Sequence, residues 1–195
     1  MSVRPSAGGS LLLQGRFAFT AHSEKHGQIT DKYLLSIEVP RQFPKTLPRV
    51  TETEQKIPRN GEFHVNPDGT LCLGSPLRLL VKLASDPTLT GFTGKCLVPY
   101  LFAISNKLQK GGPLPFDELA HGVPGMLADY VDLFGLKEPE QARLAFRLLG
   151  MKKRRANKHP CPCACGGRLG KCRFNQRLSL FRRLASRSWF RAQKL

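Results

Sequence analysis

The hydrophobic pattern changes period near residue 75, and this change narrows the folds open to the chain. Earlier segments have the character of β-strands: residues 11–20 alternate apolar and polar side chains imperfectly, residues 32–39 are rich in β-forming residues, and residues 49–57 alternate weakly. Later segments repeat apolar side chains every three or four residues as helices do, at residues 77–83, 95–108, 129–134 and 138–149. Strands followed by helices are typical of α+β folds. We therefore predict an α+β fold in which an antiparallel β-meander packs on helices.

Positive charge is concentrated at one end of the chain. Of the formal net charge of +17, residues 1–150 contribute +3, from 17 Lys and Arg against all 14 Asp and Glu. Residues 151–195 contribute +14, from 14 Lys and Arg without an acidic residue. We therefore predict a near-neutral domain over residues 1–150 and a basic tail over residues 151–195. Such a tail favours an acidic partner, either nucleic acid or an acidic protein surface, over a segment that is merely solvated.

The end of this tail is predicted to form a basic amphipathic helix, because residues 174–195 repeat Phe, Leu and Arg at helical spacing. Arginines beside Phe181, Trp189 and Phe190 would suit contacts with phosphates and stacking on bases. They would equally suit an acidic groove on a partner or an anionic membrane surface, and the sequence leaves these alternatives open. No apolar run approaches the roughly 18 residues of a membrane span, and no secretory signal is evident, so we expect a cytoplasmic protein.

Four of the six cysteines lie within twelve residues of the tail: Cys161, Cys163, Cys165 and Cys172. In a chain without a signal peptide, such clustering favours a metal site over disulfides. The thiolates of Cys161, Cys163 and Cys172 can converge on one tetrahedral Zn²⁺ at distances of about 2.3 Å. The alternative is a set of unligated thiols that would be open to oxidation.

The spacing of these cysteines resembles the zinc knuckle at the C-terminus of the secretion ATPase SecA, which also occurs in many other bacterial proteins. Cys161, Cys163 and Cys172 match three ligands of that knuckle. Arg173 stands where the family has the fourth ligand, Cys or His, and arginine cannot ligate. Cys165 or the upstream His159 would then complete the site, and we favour Cys165. The resemblance implies a small structural module that docks on protein or nucleic acid.

A candidate nucleophile, Cys72, follows a tight turn at residues 67–69 in an irregular segment. His64 and Asn66 precede it by eight and six residues. Nucleophilic sulfur chemistry needs an accessible thiol and a group that stabilises an oxyanion, and an Asn amide is a suitable donor. A buried thiol, a structural histidine and a turn asparagine are the simpler interpretations.

The order of these elements resembles a ubiquitin-conjugating enzyme over roughly residues 11–110. That family shows a strand hairpin, a proline-rich passage, a third strand, a His-Pro-Asn motif and then an apolar-Cys-Leu motif. Here the motifs read His64-Val65-Asn66 and Leu71-Cys72-Leu73. Val65 replaces the family's proline, the interval to the cysteine is shorter, and residues 1–10 leave no room for the family's N-terminal helix. These departures resemble divergent bacterial members of the family, which occur in antiphage defence operons.

The resemblance implies that Cys72 carries a ubiquitin-like protein as a thioester, that Asn66 supports the transition state of amine attack, and that His64 holds the loop. It further implies a separate activating enzyme that uses ATP, and a protein target, with a nucleotidyltransferase among the candidates. We find no phosphate-binding glycine loop in this chain, so Zn²⁺ is the one cofactor expected.

Two other functions remain open from the sequence. One is a non-catalytic adaptor of the same fold that binds protein through its body and nucleic acid or an acidic partner through its tail. The other is a cysteine hydrolase that uses Cys72 with His64, ranked last because no Asp or second His stands in an obvious orienting position.

Overall fold

The computed structural model describes residues 1–115, 122–193 and 195. It confirms the α+β class, with one four-stranded antiparallel sheet and several helices. The chain divides into two compact units, Met1–Gly74 with Ser85–Glu118 and Ser75–Ala84 with Leu119–Leu195. Gly150, where the sequence predicts a boundary, lies inside the second unit. The predicted domain over residues 1–150 and the predicted tail over residues 151–195 stay predictions.

The sheet of the first unit is a meander in which each strand pairs with the next. Its strands are β1 (Ser2–Pro5), β2 (Leu11–Ser23), β3 (Gly27–Val39) and β4 (Arg49–Glu52). β2 and β3 pair over thirteen residues, from Leu11 with Val39 to Ser23 with Gly27. Alternate residues of β3 are buried at Ile29, Tyr33, Leu35, Ile37 and Val39. One face of this hairpin therefore forms the core, as the alternating pattern predicts.

The third strand, which the sequence predicts over residues 49–57, is shorter in the structure, where β4 ends at Glu52. The buried carboxylate of Glu52 accepts hydrogen bonds from the backbone N–H groups of Glu54 and Ile57, at 2.7 and 3.3 Å. Because the Glu52 side chain accepts from these N–H groups, they need no hydrogen bonds to a neighbouring strand, and the chain can turn here.

A long helical segment packs on the sheet of the first unit. It consists of α2 (Leu89–Phe92), a π-helical turn (Thr93–Leu97) and α3 (Val98–Lys110). It begins six residues before the predicted start, because Thr88 caps it by accepting a hydrogen bond from the N–H of Gly91 at 2.9 Å. Its buried side chains include Tyr100, Leu101 and Ile104. The predicted helix over residues 95–108 is thus present and is extended at its N-terminal end.

The second unit is helical around an aromatic core. Its helices are α1 (Pro76–Leu83), α4 (Gly122–Phe134), α5 (Pro139–Leu149), α6 (Lys153–Ala156), α7 (Phe174–Leu184) and α8 (Arg187–Ala192). Their buried rings include Tyr130, Phe134, Phe146, Phe181 and Phe190. Asp129 of α4 accepts hydrogen bonds from Ser75 and Arg78, and this ties α1 to α4. The helices predicted over residues 77–83, 129–134 and 138–149 correspond to α1, α4 and α5.

The predicted single helix over residues 174–195 is two helices in the structure. Ala185 between them is extended, with φ −143° and ψ 162°. Ser186 then caps α8, because its Oγ accepts a hydrogen bond from the N–H of Trp189 at 3.1 Å. The break turns α8 so that Phe190 packs edge-on to Phe146 of α5, with ring centroids 5.6 Å apart. The periodicity of the sequence predicts one continuous helix, but tertiary packing divides it at Ala185.

Candidate functional site

Cys72 ends a narrow hairpin in the first unit. The N–H of Cys72 donates to the carbonyl of His64 at 2.7 Å, and the N–H of Asn66 donates to the carbonyl of Thr70 at 2.8 Å. Between these hydrogen bonds, Val65 pairs with Leu71 in an antiparallel bridge. Gly69, with φ 79°, closes the turn and donates its N–H to the carbonyl of Asn66 at 2.8 Å. The irregular segment of the sequence is thus a hydrogen-bonded arm with a tight tip.

The hairpin brings Asn66 and Cys72 to the same side. Side chains alternate between the two faces of paired extended chains, so Val65 and Leu71 share one face. Both are more than nine-tenths buried. Asn66, Thr70 and Cys72 take the opposite face, where Asn66 is exposed and Cys72 is half-buried. Asn66 and Cys72 are diagonal neighbours in this register, a position typically about 7–8 Å apart.

The amide of Asn66 is held by a chain of polar contacts. Its Nδ2 donates to the Oγ1 of Thr70 at 3.0 Å, and that hydroxyl donates to Oδ1 of Asp68 at 2.5 Å. Asp68 in turn forms an exposed ion pair with Arg49 at 2.7 Å. The hydrogen bonds from Thr70, with the charge of Arg49, lower the pKa of Asp68, so its carboxylate stays ionised and accepting. Thr70 could not be predicted from the sequence, because a threonine two residues before a cysteine matches no motif.

Helix α3 anchors the base of the hairpin. Tyr100 donates its phenolic O–H to the carbonyl of Phe63 at 2.8 Å. Lys107 donates to the carbonyl of Glu62 at 3.1 Å and lies 4.9 Å from the centroid of the Phe63 ring. Burial raises the pKa of Tyr100, and the negative charge that Cys72 carries as a thiolate raises it further. Tyr100 therefore remains a protonated donor at neutral pH.

The predicted site residues of the first unit differ in their surroundings. His64 is half-buried in a left-handed backbone conformation, with φ 51° and ψ 45°, and its carbonyl holds the N–H of Cys72. The other cysteine of this unit, Cys96, is 2% exposed in the π-helical turn. Cys72 is thus the accessible thiol of the first unit. The catalytic roles of Cys72, Asn66 and His64 stay predictions.

The four tail cysteines converge in the second unit, as the sequence predicts, and together they could hold a metal ion. The Sγ atoms of Cys161, Cys163, Cys165 and Cys172 all lie within 4.8 Å of one another. Two of these separations are 3.2 Å, between Cys161 and Cys163, and 3.6 Å, between Cys163 and Cys172. His159 does not belong to this cluster of side chains.

Backbone geometry explains the convergence of the thiols. Pro160 pairs with Arg168, and the N–H of Cys161 donates to the carbonyl of Gly167 at 2.9 Å, so residues 160–168 fold back as a hairpin. Ala164, with φ 59°, turns the tip and brings Cys165 back toward Cys163. Cys172 then approaches after the 3₁₀ turn Leu169–Lys171.

The electrostatics of the cluster suit a metal ion. The N–H of Phe174 lies 3.5 Å from the Sγ of Cys172, and this hydrogen bond is the largest cause that lowers the pKa of Cys172, to about 7. Burial raises the pKa of Cys161 and of Cys163. Four thiols cannot all ionise at such short distances without a cation, because the thiolates repel one another. A bound divalent cation would supply that charge.

Comparison with protein-family models, with curated proteins and with solved structures gives no match to this chain. In the part of the chain that the structure describes, no helix combines the length and the hydrophobicity that crossing a bilayer requires.

Proposed function

We propose that this protein is a ubiquitin-conjugating-like enzyme with Cys72 as its nucleophile. The Cys72 thiolate attacks the carbonyl of an activated C-terminus, the previous thiol carrier leaves with the proton, and an enzyme thioester forms. An amine of a target then attacks this thioester, an amide bond forms, and Cys72 is released as a thiol. The thioester bond already supplies the free energy for forming the amide, so the protein has to orient the amine and exclude water.

The observation that carries this proposal is the hairpin that presents Cys72 and Asn66 on one face. The Asn66 amide has two N–H donors, and Thr70 accepts from this group. The remaining donor can serve a developing oxyanion, which a positioned amide stabilises by several kcal/mol in other acyl transfers. Val65 and Leu71 anchor the buried face of the hairpin, so this geometry is held before a substrate binds.

We further propose that the cluster of Cys161, Cys163, Cys165 and Cys172 holds a structural Zn²⁺. Tetrahedral zinc with Zn–S bonds of about 2.3 Å requires sulfur atoms about 3.8 Å apart. The observed separations of 3.2 and 3.6 Å, with all four atoms within 4.8 Å, need only small shifts to reach this value. Four thiolates leave no open coordination position, which is typical of structural rather than catalytic zinc.

The wider context of the enzyme is part of the same proposal. A ubiquitin-like modifier and a separate activating enzyme would supply the thioester, and the amine would belong to a protein target. The bacterial antiphage defence setting and a nucleotidyltransferase target follow from the resemblance alone.

Acyl transfer from a short peptide thioester ending in Gly-Gly tests the proposal, because such a donor needs no docking surface. Intact mass spectrometry should show an adduct of one peptide, lost on treatment with dithiothreitol. Free lysine should then receive the peptide as an amide faster than water hydrolyses it. Hydrolysis in preference to amide formation would indicate the hydrolase. No adduct above the rate of a small free thiol would indicate the adaptor.

Asn66→Ala separates the two steps of the reaction. We expect transfer to lysine to slow by about 10²-fold with the loss of one oxyanion donor. Formation of the thioester should slow less, because a thiolate is a stronger nucleophile than an amine and depends less on that donor. Single-turnover discharge of the isolated thioester measures this difference. Thr70→Val, which removes the contact to Asn66, should show a smaller loss in the same step, and Thr70→Ser should restore the rate. An equal slowing of loading and discharge in Asn66→Ala would contradict the assigned role.

A further inference from the structure

We infer that the outer surface of residues 151–195 binds nucleic acid through its phosphate backbone. This inference goes beyond the proposed function and does not depend on it. The surface, called here the basic face, consists of the exposed Lys and Arg of this segment: Lys152, Lys153, Arg154, Arg155, Lys158, Arg168, Lys171, Arg173, Arg177, Arg183, Arg187 and Arg191.

The charge of the basic face is not neutralised within the described part of the chain. The segment contains no Asp or Glu. The ion pairs that the structure describes use Arg49, Lys56, Arg78 and Arg143 as their cations, all outside this segment. Unneutralised like charges within one folded segment repel one another, and a polyanion relieves that repulsion. The segment therefore presents a high density of positive charge to a partner.

The apolar side chains of α7 and α8 are already used inside the second unit. Phe181 packs edge-on to Phe134 with ring centroids 4.9 Å apart, and Phe190 packs in the same way on Phe146. Leu178 is fully buried. Of the large apolar side chains described in this segment, Leu180 alone stands out as exposed, at 60%. The tail helices therefore have no apolar face to insert into a membrane or to lay into a partner's groove.

Arg182 shows that one arginine of this segment has a structural task instead. Its guanidinium donates to the carbonyls of Leu148, Leu149 and Met151 at 2.9 to 3.2 Å. These carbonyls lie at and just beyond the C-terminal end of α5, where a cation offsets the helix dipole. Burial lowers the pKa of Arg182, and it does not belong to the basic face.

The chemistry of the basic face favours nucleic acid over an acidic protein. Eight of its twelve cations are arginines, whose planar guanidinium groups match phosphate oxygens. Seven of the cations stand on the helices α6, α7 and α8, whose backbone is already ordered, so little backbone entropy is lost when they contact a regularly charged partner. Trp189 is half-buried with its ring 5.1 Å from that of Phe190, so it offers little free surface for stacking bases. We therefore expect binding that is independent of sequence and driven by phosphates.

Fluorescence anisotropy with a labelled DNA duplex tests this inference on the full chain. We expect affinity to fall steeply with salt, with a slope of log K against log salt of about −4 or steeper, because several phosphates are contacted. Two unrelated duplex sequences should bind equally within about twofold.

A matched pair of variants tests whether the basic face itself is responsible. Lys153→Gln, Arg154→Gln and Arg155→Gln together remove three exposed charges from α6 and leave the four clustered cysteines unchanged. Lys25→Gln, Arg41→Gln and Lys45→Gln remove three exposed charges from the first unit. We expect the first variant to weaken duplex binding at least tenfold and to reduce the salt slope by about two, and the second to change affinity less than threefold. Metal content and thermal unfolding confirm that both variants stay folded.

Three results would overturn the inference. One is an equal loss of affinity in the two variants, which would make total charge the cause. Another is absence of salt-dependent binding to the duplex by the wild-type chain. The third is tighter binding to a polyglutamate peptide, or to vesicles with an anionic lipid, than to DNA at the same ionic strength. That result would assign the basic face to an acidic protein or to a membrane surface.

Discussion

Cys72→Ala abolishes the thioester adduct. The variant lacks the nucleophile, and the other thiol of the first unit, Cys96, is 2% exposed, so no neighbouring thiol replaces it. We expect formation of the dithiothreitol-sensitive adduct to fall at least about 100-fold, the size of effect that follows loss of an attacking group. Because Cys72 is half-buried and its N–H bond to His64 is a backbone contact, the thermal unfolding midpoint should change little.

Cys96→Ala provides the matched control. It removes a buried sulfur from the π-helical turn and lowers the free energy of unfolding by about 1–2 kcal/mol, but leaves the thioester adduct at its wild-type level. The pair therefore separates loss of chemistry from loss of stability. Wild-type adduct formation by Cys72→Ala would reject Cys72 as the carrier, and loss of adduct in both variants would point to a damaged fold.

If the four cysteines hold a metal, we expect its removal to unfold the cysteine hairpin of residues 160–172. Folding of this segment relies on few buried side chains, chiefly Cys161 and Leu169, so the metal bonds are expected to dominate its stability. Structural Zn²⁺ in small domains contributes about 10–16 kcal/mol of apparent binding free energy at pH 7. We expect the purified chain to contain one equivalent of zinc, and Cys163→Ser to lower its zinc affinity at least 10³-fold. Zinc content by mass spectrometry and amide hydrogen exchange over residues 160–172 measure both effects.

The fourth ligand is distinguished in the same experiment. Cys165→Ser should weaken zinc binding, since its Sγ belongs to the cluster, and His159→Ala should not. With Co²⁺ in place of zinc, the wild-type chain should show the visible absorption of a four-thiolate site, which Cys165→Ser would shift. A chain that is purified without metal and takes up neither ion would refute the site. Loss of zinc in His159→Ala but not in Cys165→Ser would reverse the assignment.

The two proposals for the body and the tail fail independently. If the experiments show no thioester chemistry, the basic face remains as a binding surface, and the protein would act as an adaptor. Loss of duplex binding leaves the Cys72 chemistry untouched, because the cations involved lie in the second unit. Each experiment therefore excludes one of the proposed functions without deciding the other.

Sequence alone determined the features that depend on local pattern. The alternation of β3 follows from one buried face, so the hairpin and the burial of β3 could be predicted from local pattern, whereas β2 buries only Phe19. The helices α1 and α5 follow from the helical spacing of their apolar side chains. The convergence of the tail cysteines could also be predicted, because the short spacing of Cys161 and Cys163 allows few other arrangements.

Other features were decided only by the tertiary structure, at positions where contacts between distant residues override the local pattern. The third strand stops at Glu52 because a buried carboxylate satisfies the next N–H groups, and the last helix divides at Ala185 because Phe190 packs on α5. The link from Asn66 through Thr70 to Asp68 depends on the register of a five-residue turn, which spacing does not reveal. Packing also consumes the apolar side of α7 and α8, and this leaves charge as the tail's exposed chemistry. Periodicity shows which side of a helix is apolar, but only the folded chain shows what covers that side.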